Sequence, residues 1–305
     1  MSTRRNFHRA ALSATICGLA NPLSGCTAMA PTTRPLAVDC HAHVFLRSLP
    51  MPDRRRAPSG YDAPPEAFLA HLDEFGLTHG VVVQPSFLGT DNAYLLDALQ
   101  RYPKRLRGVA VVDPSVPAAE LDRLQQAGVV GIRLNQVGLP APEFGSPAWQ
   151  ALLRELQRRA WHVQVHQVAA QLRPLLDPLL ERQLDVVVDH FGRPDPTLGV
   201  EDPGFRYLLS LAPSRRVWVK LSASYRNGAD GRGEQVAREA LPLLAGSLGW
   251  DRLVWGSDWP HTLFEQAADY GGQRRRLDAW IPEESIRRRV LGDNAAALYR
   301  IGAVG

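Results

Sequence analysis

The chain has 305 residues, enough for one large domain or two ordinary ones, and its 45% apolar and 22% charged residues are those of a globular protein. The formal charge of +4 falls close to neutral once Arg4, Arg5 and Arg9 are set apart. Net charge therefore gives no case for a nucleic-acid partner.

The first segment reads as an export signal. Arg4-Arg5 is followed two positions on by Phe7, as in twin-arginine signals. Residues 10–20 are weakly apolar, too short and too polar to span a bilayer. Leu23-Ser24-Gly25-Cys26 resembles a lipoprotein cleavage box. Residues 1–26 are thus expected to direct export to the periplasm, with Cys26 as the site of a lipid anchor. A plain signal cleaved near Ala28-Met29-Ala30 is the alternative. The Pro/Thr-rich residues 27–35 read as a tether, and 36–305 as the folded part. Cys17 and Cys26 fall in the signal. Cys40 is then the one thiol in the folded part, so no internal disulfide is expected. Cys40 itself reads as a small buried apolar residue.

From residue 36 onward, apolar runs alternate with amphipathic stretches. The runs at 37–43, 80–84, 108–112, 129–134, 161–166, 185–189, 217–221 and 253–255 are Val-rich and nearly continuous, as parallel strands buried on both faces should be. Helices are expected at 65–75, 91–102, 118–127, 147–159, 169–182, 234–248 and 263–280. A closing helix at 293–301 would be capped by Asp293. This order predicts an α/β protein, a single-domain (β/α)8 TIM barrel. No Gly-rich phosphate loop follows the first strand, which disfavours a doubly wound sheet. The long, basic, Pro-containing loop 46–63 after strand one is a candidate lid over the active face.

Polar residues gather at the ends of these strands. His41 and His43 are two apart on one strand, so both imidazoles aim at one point. Imidazole and carboxylate are the ligands that Zn²⁺ takes. His166 ends strand five, Asp189-His190 ends strand six, and Asp258 follows strand eight. A carboxylate at that place can bind a metal and take a proton from water. Arg133 ends strand four, and Lys220 and Arg226 flank the end of strand seven. Guanidinium groups suit carboxylates, so these three predict an acidic substrate. His162 reads as structural, and His261 as a loop residue.

The segments Val38-Asp39-Cys40-His41-Ala42-His43, Val188-Asp189-His190-Phe191-Gly192-Arg193-Pro194 and Gly256-Ser257-Asp258-Trp259-Pro260-His261 resemble the amidohydrolase superfamily, family 2. Within it they resemble the lactonase branch, which includes 2-pyrone-4,6-dicarboxylate hydrolases and sugar-lactone hydrolases. The resemblance runs from about residue 36 to 301. It implies His41, His43, His166 and Asp258 as ligands of one divalent metal, with zinc as first choice. It also implies Asp258 as general base and His190 as the group on the substrate carbonyl or the water. The expected reaction is hydrolysis of a small carboxylated lactone, of the pyrone or sugar-acid type. The branch also includes members that lack the strand-five His and work without metal; here His166 is present, which favours a metal. The pyrone-dicarboxylate hydrolases carry a second Arg where this chain reads Gln136-Val137-Gly138-Leu139, which counts against that dicarboxylate itself. The other readings are a metal-independent lactonase, a decarboxylase or a lactone isomerase on the same barrel, and a non-catalytic binding lipoprotein.

Overall fold

A computed structural model describes residues 35–52, 57–58 and 60–302. The export signal, Cys26 and all but the last residue of the tether lie outside them. Eight parallel strands pair in sequence order: β1 (Val38–Ala42), β2 (His79–Val83), β3 (Leu106–Ala110), β4 (Val129–Asn135), β5 (His162–His166), β6 (Val186–Val188), β7 (Val217–Leu221) and β8 (Leu253–Trp255). The ring closes between its ends. Asp258 N–H donates to the His41 carbonyl at 2.8 Å, and His43 N–H to the Trp259 carbonyl at 2.8 Å. The expected (β/α)8 TIM barrel is therefore the observed fold.

Helices α1 (Pro65–Glu74), α2 (Ala93–Arg101), α3 (Ala118–Gln126), α4 (Pro147–Arg159), α5 (Arg173–Glu181), α6 (Pro203–Ser210), α7 (Arg232–Leu248) and α8 (Tyr270–Trp280) follow their strands. Their Leu-rich faces pack on the outer side of the strands in one large core. Helix α6 is an addition to the sequence reading. Its start is written as Asp202-Pro203, with the Asp202 carboxylate accepting from Gly204 N–H at 2.7 Å. Correction is needed at the end of the chain. Asp293 caps nothing, because it has helical φ −59° and ψ −45°. The backbone runs through it from α9 (Glu284–Arg288), by a π-helical turn, into α10 (Asn294–Tyr299). Among the described residues, no helix is long and apolar enough to cross a membrane.

A second, smaller cluster contains Val38, Cys40, Val81, Val83, Val109, Val187 and Val254, with Leu298 and Tyr299 of α10 packed into it. Cys40 is thus buried as expected, and its thiol is pushed up by that burial. β5 sends His162 to this layer, edge-on to the Tyr299 ring at 5.3 Å. Loop 46–63 is pinned at its base, where Phe45 and Ala63 exchange two backbone hydrogen bonds of 2.8 and 2.9 Å.

The β8–β1 seam leaves no room for a side chain at Gly256. A Cβ there would lie 2.5 Å from His41 Cβ and 2.8 Å from its backbone nitrogen. Gly256→Ala is therefore expected to destabilise the barrel by about 1–3 kcal/mol and to displace His41. Denaturant unfolding and turnover together check this; a variant matching the parent in both would show slack at the seam.

Candidate active site

The polar strand ends converge where the seam closes. In β1 the pairing register shifts between Asp39 and Ala42, an irregularity that re-aims the side chains that follow. Asp39 fixes it: one carboxylate oxygen accepts from the backbone N–H groups of His41 (3.1 Å) and Ser257 (2.9 Å), the other from Tyr270 OH (3.0 Å). Burial raises this carboxyl to about 6, against those hydrogen bonds. Asp39 is a lock between the first and last strands, not a member of the site.

Above it, the Nε2 atoms of His41, His43 and His190 lie 3.4, 3.7 and 3.9 Å from one oxygen, Asp258 Oδ1. His41 Nε2 and His43 Nε2 are 3.3 Å apart. The other carboxylate oxygen, Oδ2, accepts from Tyr225 OH (2.6 Å) and Arg226 Nε (2.7 Å). Burial raises the Asp258 carboxyl, but Arg226 and then the surrounding imidazoles outweigh it and hold the group well below the usual carboxylate range. Burial likewise keeps His41 (about 3), His43 and His190 neutral. Both Asp258 (φ 61°) and His190 (φ 54°) have left-handed backbone, the kind of local strain that functional sites retain.

These donors fit a small divalent cation. Two neutral imidazole nitrogens, those of His41 and His43, and one ionised oxygen lie close together, and Asp258 Oδ1 is buried without a hydrogen-bond partner. Two groups have ligand atoms within 4.8 Å of one another: His41, His43 and Asp258, and His41, Asp189 and His190. The second ring nitrogens matter too. His43 Nδ1 donates to the Val83 carbonyl at 2.7 Å, which leaves the Nε2 lone pair facing inward. His190 Nδ1 meets Ser222 Oγ at 2.8 Å.

The other predicted residues are placed differently. His166 stands outside both groups. Its Nδ1 faces Arg133 Nη2 at 3.1 Å and its Nε2 faces Arg193 Nη1 at 3.2 Å. Arg133 also reaches Asp189 at 3.3 Å. The structure does not bring Lys220 to the cleft wall. Lys220 is wholly buried beneath His41, with Nζ 3.0 Å from His41 Nδ1, 2.7 Å from Gln164 Oε1 and 3.7 Å from Asp189 Oδ1. The cleft is walled by His43, Arg133, His166, His190, Arg226 and Asp258, with Pro85 and Phe87 as its apolar side.

Comparison with known proteins places the chain in a family. The family model described as amidohydrolase matches residues 38–301. The chain belongs to the amidohydrolase family. Among relatives, a 2-pyrone-4,6-dicarboxylate hydrolase of Comamonas testosteroni is 34% identical over 86% of this chain and 90% of its own. A 4-sulfomuconolactone hydrolase of Rhizobium radiobacter is 30% identical over 87% and 90%. The crystal structure of a probable 2-pyrone-4,6-dicarboxylic acid hydrolase from Acinetobacter baumannii, with citric acid bound, superimposes with a TM-score of 0.84 at 39% identity. It covers 87% of this chain and 99% of that one. This amidohydrolase is thus an enzyme whose family, fold and donor cluster agree.

Two residues of the site were not singled out from sequence. Tyr225 holds Asp258 from the turn Ser224–Asn227 after β7. Arg193 closes on His166 from the turn after β6. Arg193 had a signal of its own, three residues beyond His190 in a quoted motif; Tyr225 had only its place beside Arg226.

Proposed function

We propose that this amidohydrolase opens a lactone bearing acid groups, by attack of an activated water with Asp258 as general base. The free oxygen of Asp258 carries the reading. Oδ1 is ionised, buried and unpartnered among three neutral imidazoles, while Oδ2 is held by Tyr225 and Arg226. An oriented acceptor of this kind suits removal of a proton from water. The names of the two relatives, hydrolases of a pyrone dicarboxylate and of a sulfomuconolactone, support the substrate class.

In this reading the water oxygen bonds to the ring carbonyl carbon while Asp258 Oδ1 takes its proton. The acyl C–O bond of the ring breaks, and the leaving ring oxygen takes a proton to give an open-chain acid. The Asp258 carboxylate favours a proton on His190 Nε2, which then donates to the carbonyl oxygen as charge develops there. Arg226 Nη1 and Arg133 Nε are buried donors without partners, free to hold an acid group of the substrate. A divalent ion, zinc being the one this donor set suits, would be held by His41, His43 and Asp258, and would polarise the carbonyl and acidify water.

One observation favours a second, metal-free form of the same reading. Lys220 Nζ can only donate, and it lies 3.0 Å from His41 Nδ1. A proton held there by Lys220 leaves His41 Nδ1 as acceptor, puts the ring proton on Nε2 and removes the metal-facing lone pair. With Asp189, 3.3 Å away, accepting from Nδ1–H instead, that lone pair is restored.

Metal analysis of purified protein, with lactone turnover before and after chelation, decides between them. The metal-assisted form expects about one divalent ion per chain and activity lost on chelation and recovered on its return. Full activity without metal would establish the second form. Product analysis tests the reaction itself: an opened acid is expected, and carbon dioxide or a migrated lactone ring would overturn hydrolysis.

A further inference from the structure

The barrel carries its charge unevenly along its axis. All 31 acidic residues lie in 36–305, and so do 31 of the 35 basic ones, which leaves this part neutral. The loops that leave the strands, at the mouth, hold thirteen acidic and six basic residues. Those that enter the strands, at the opposite face, hold two acidic residues, Asp185 and Asp251. They hold six basic ones: Lys104, Arg105, Arg182, Arg215, Arg216 and Arg252. A neutral barrel thus has a positive floor and a negative mouth.

Ion pairing does not cancel the floor. Asp251 is shared by Arg215 and Arg252, Arg216 faces Asp185 at 3.2 Å, and Arg105 turns to Asp73 at the end of α1. Lys104 is exposed, and Arg182 donates to the neutral Gln150 amide. Two more arginines, Arg107 and Arg300, line a cleft in the same face. Arg107 Nη1 donates to the Pro103 and Leu106 carbonyls, both at 2.9 Å, and Arg300 Nη2 to the Arg159 carbonyl at 2.9 Å. Those partners are neutral, so both guanidinium charges stay uncompensated.

The chain enters the barrel at this face. Just before β1, Ala37 N–H donates to Thr78 Oγ1 in the loop into β2, at 3.0 Å. Nine residues, 27–35, separate residue 36 from Cys26, the residue expected to carry a lipid anchor. Fully extended, such a stretch reaches about 30 Å. From Cys26 to Val38 the sequence has Arg34 and no acidic residue, so nothing in it opposes an anionic surface.

We propose that the floor of the barrel is a docking surface for a bilayer of anionic phospholipids, which turns the mouth away from the membrane. Headgroup phosphates meet Lys104, Arg107 and Arg300, and the same surface repels the acidic mouth loops. An anchor at Cys26 then brings to the bilayer the face that the bilayer attracts. The cleft around Asp258 takes no part in this contact, so lactone hydrolysis and membrane docking stand or fall separately.

Vesicle flotation of the full chain tests it, with Cys26→Ser throughout so that no acyl chain adds affinity of its own. At about 50 mM salt, phosphatidylcholine vesicles with about 40% phosphatidylglycerol should bind the protein at least about tenfold more tightly than phosphatidylcholine alone. Lys104→Gln should weaken that binding about fivefold, and Lys104→Gln with Arg107→Gln and Arg300→Gln about a hundredfold. Arg47→Gln removes the same charge from an exposed position on a mouth loop and should leave binding within about twofold. Should the triple variant not fold, Lys104→Gln against Arg47→Gln decides alone. Equal binding to both vesicle types, binding to neither, or the same affinity in Lys104→Gln and Arg47→Gln overturns the docking surface. Capture of a DNA duplex without capture of vesicles would make the floor a nucleic-acid face and overturn it too.

Discussion

Asp258→Asn is expected to lower kcat on an acidic lactone by about a thousandfold, with KM changed by no more than about threefold. The reason lies in the division of labour between its two oxygens. Oδ2 is the anchored one, accepting from Tyr225 and Arg226, and an Asn carbonyl oxygen can keep those bonds. Oδ1 is the free one, and an amide nitrogen in its place cannot accept a proton. The variant thus keeps those two hydrogen bonds and removes the base, together with the carboxylate charge that faces Arg226 and would hold a metal. Parent enzyme should show a matching pH profile. Arg226 and the imidazoles outweigh burial and keep Asp258 ionised well below ordinary carboxylate values. Burial keeps His41, His43 and His190 neutral over the same interval. A lowered pKa means the active ionised form persists as pH falls, so kcat/KM should stay flat from neutrality down to about pH 5. Turnover of the Asn variant within tenfold of the parent would remove Asp258 from the role of base. An acid limb near pH 6 would instead report protonation of the Asp39 lock, which burial raises to about 6.

The barrel was legible because its strands are short, Val-rich and buried on both faces, so each announces itself without reference to its neighbours. The runs at 217–221 and 253–255 coincide with β7 and β8. Residues that end strands were legible for the same reason: His41, His43, His190 and Asp258 reach the mouth because the strand ends there. Depth within the barrel was not. Lys220 and Arg226 are near neighbours in sequence, yet Lys220 is one residue inside β7 and lies beneath His41. Arg226, on the turn beyond β7, reaches the cleft. That difference depends on where β7 stops and on its stagger against β1, and neither is written in β7 alone. Arg193 was hidden by backbone: only the left-handed run from His190 turns it back onto His166. Asp293 failed as a cap because a preceding helical turn, which Gly292 does not break, runs straight through it.

Asp189→Asn is expected to destabilise the fold by about 3–5 kcal/mol. The sequence placed Asp189 at the end of β6 without a role, and the structure makes it the counter-ion of the buried cations. Arg133 Nη2 lies 3.3 Å from it, Lys220 Nζ 3.7 Å, His41 Nδ1 3.3 Å, and Gln164 Nε2 donates at 3.1 Å. Asp189→Asn keeps the shape and hydrogen-bonding oxygen but leaves Arg133 and Lys220 without that charge. The two cations then respond differently. Burial has already pushed Lys220 down to about 8, so it can shed its proton at little further cost. Arg133 cannot, since guanidinium stays protonated in proteins. The penalty therefore falls on one uncompensated, fully buried arginine, and breaking such a pair costs about 3–5 kcal/mol. Against the 5–15 kcal/mol typical of folded domains, that is a large share. Burial raises the Asp189 carboxyl, but His41 and Lys220 lead the groups that hold it well below its ordinary value. A depressed carboxylate contributes its stability above the unfolded pKa of about 4 and loses it as pH falls through the folded value. The gap between parent and Asp189→Asn in urea unfolding should thus be full at pH 7 and shrink in acid below about pH 4. A gap under about 1 kcal/mol at pH 7 would mean that the cations find another anion. Asp258, already tied to Arg226 at 2.7 Å, is the remaining carboxylate in reach. Recruiting it would draw the proposed base off its position, so a stable Asp189→Asn variant should be an inactive one.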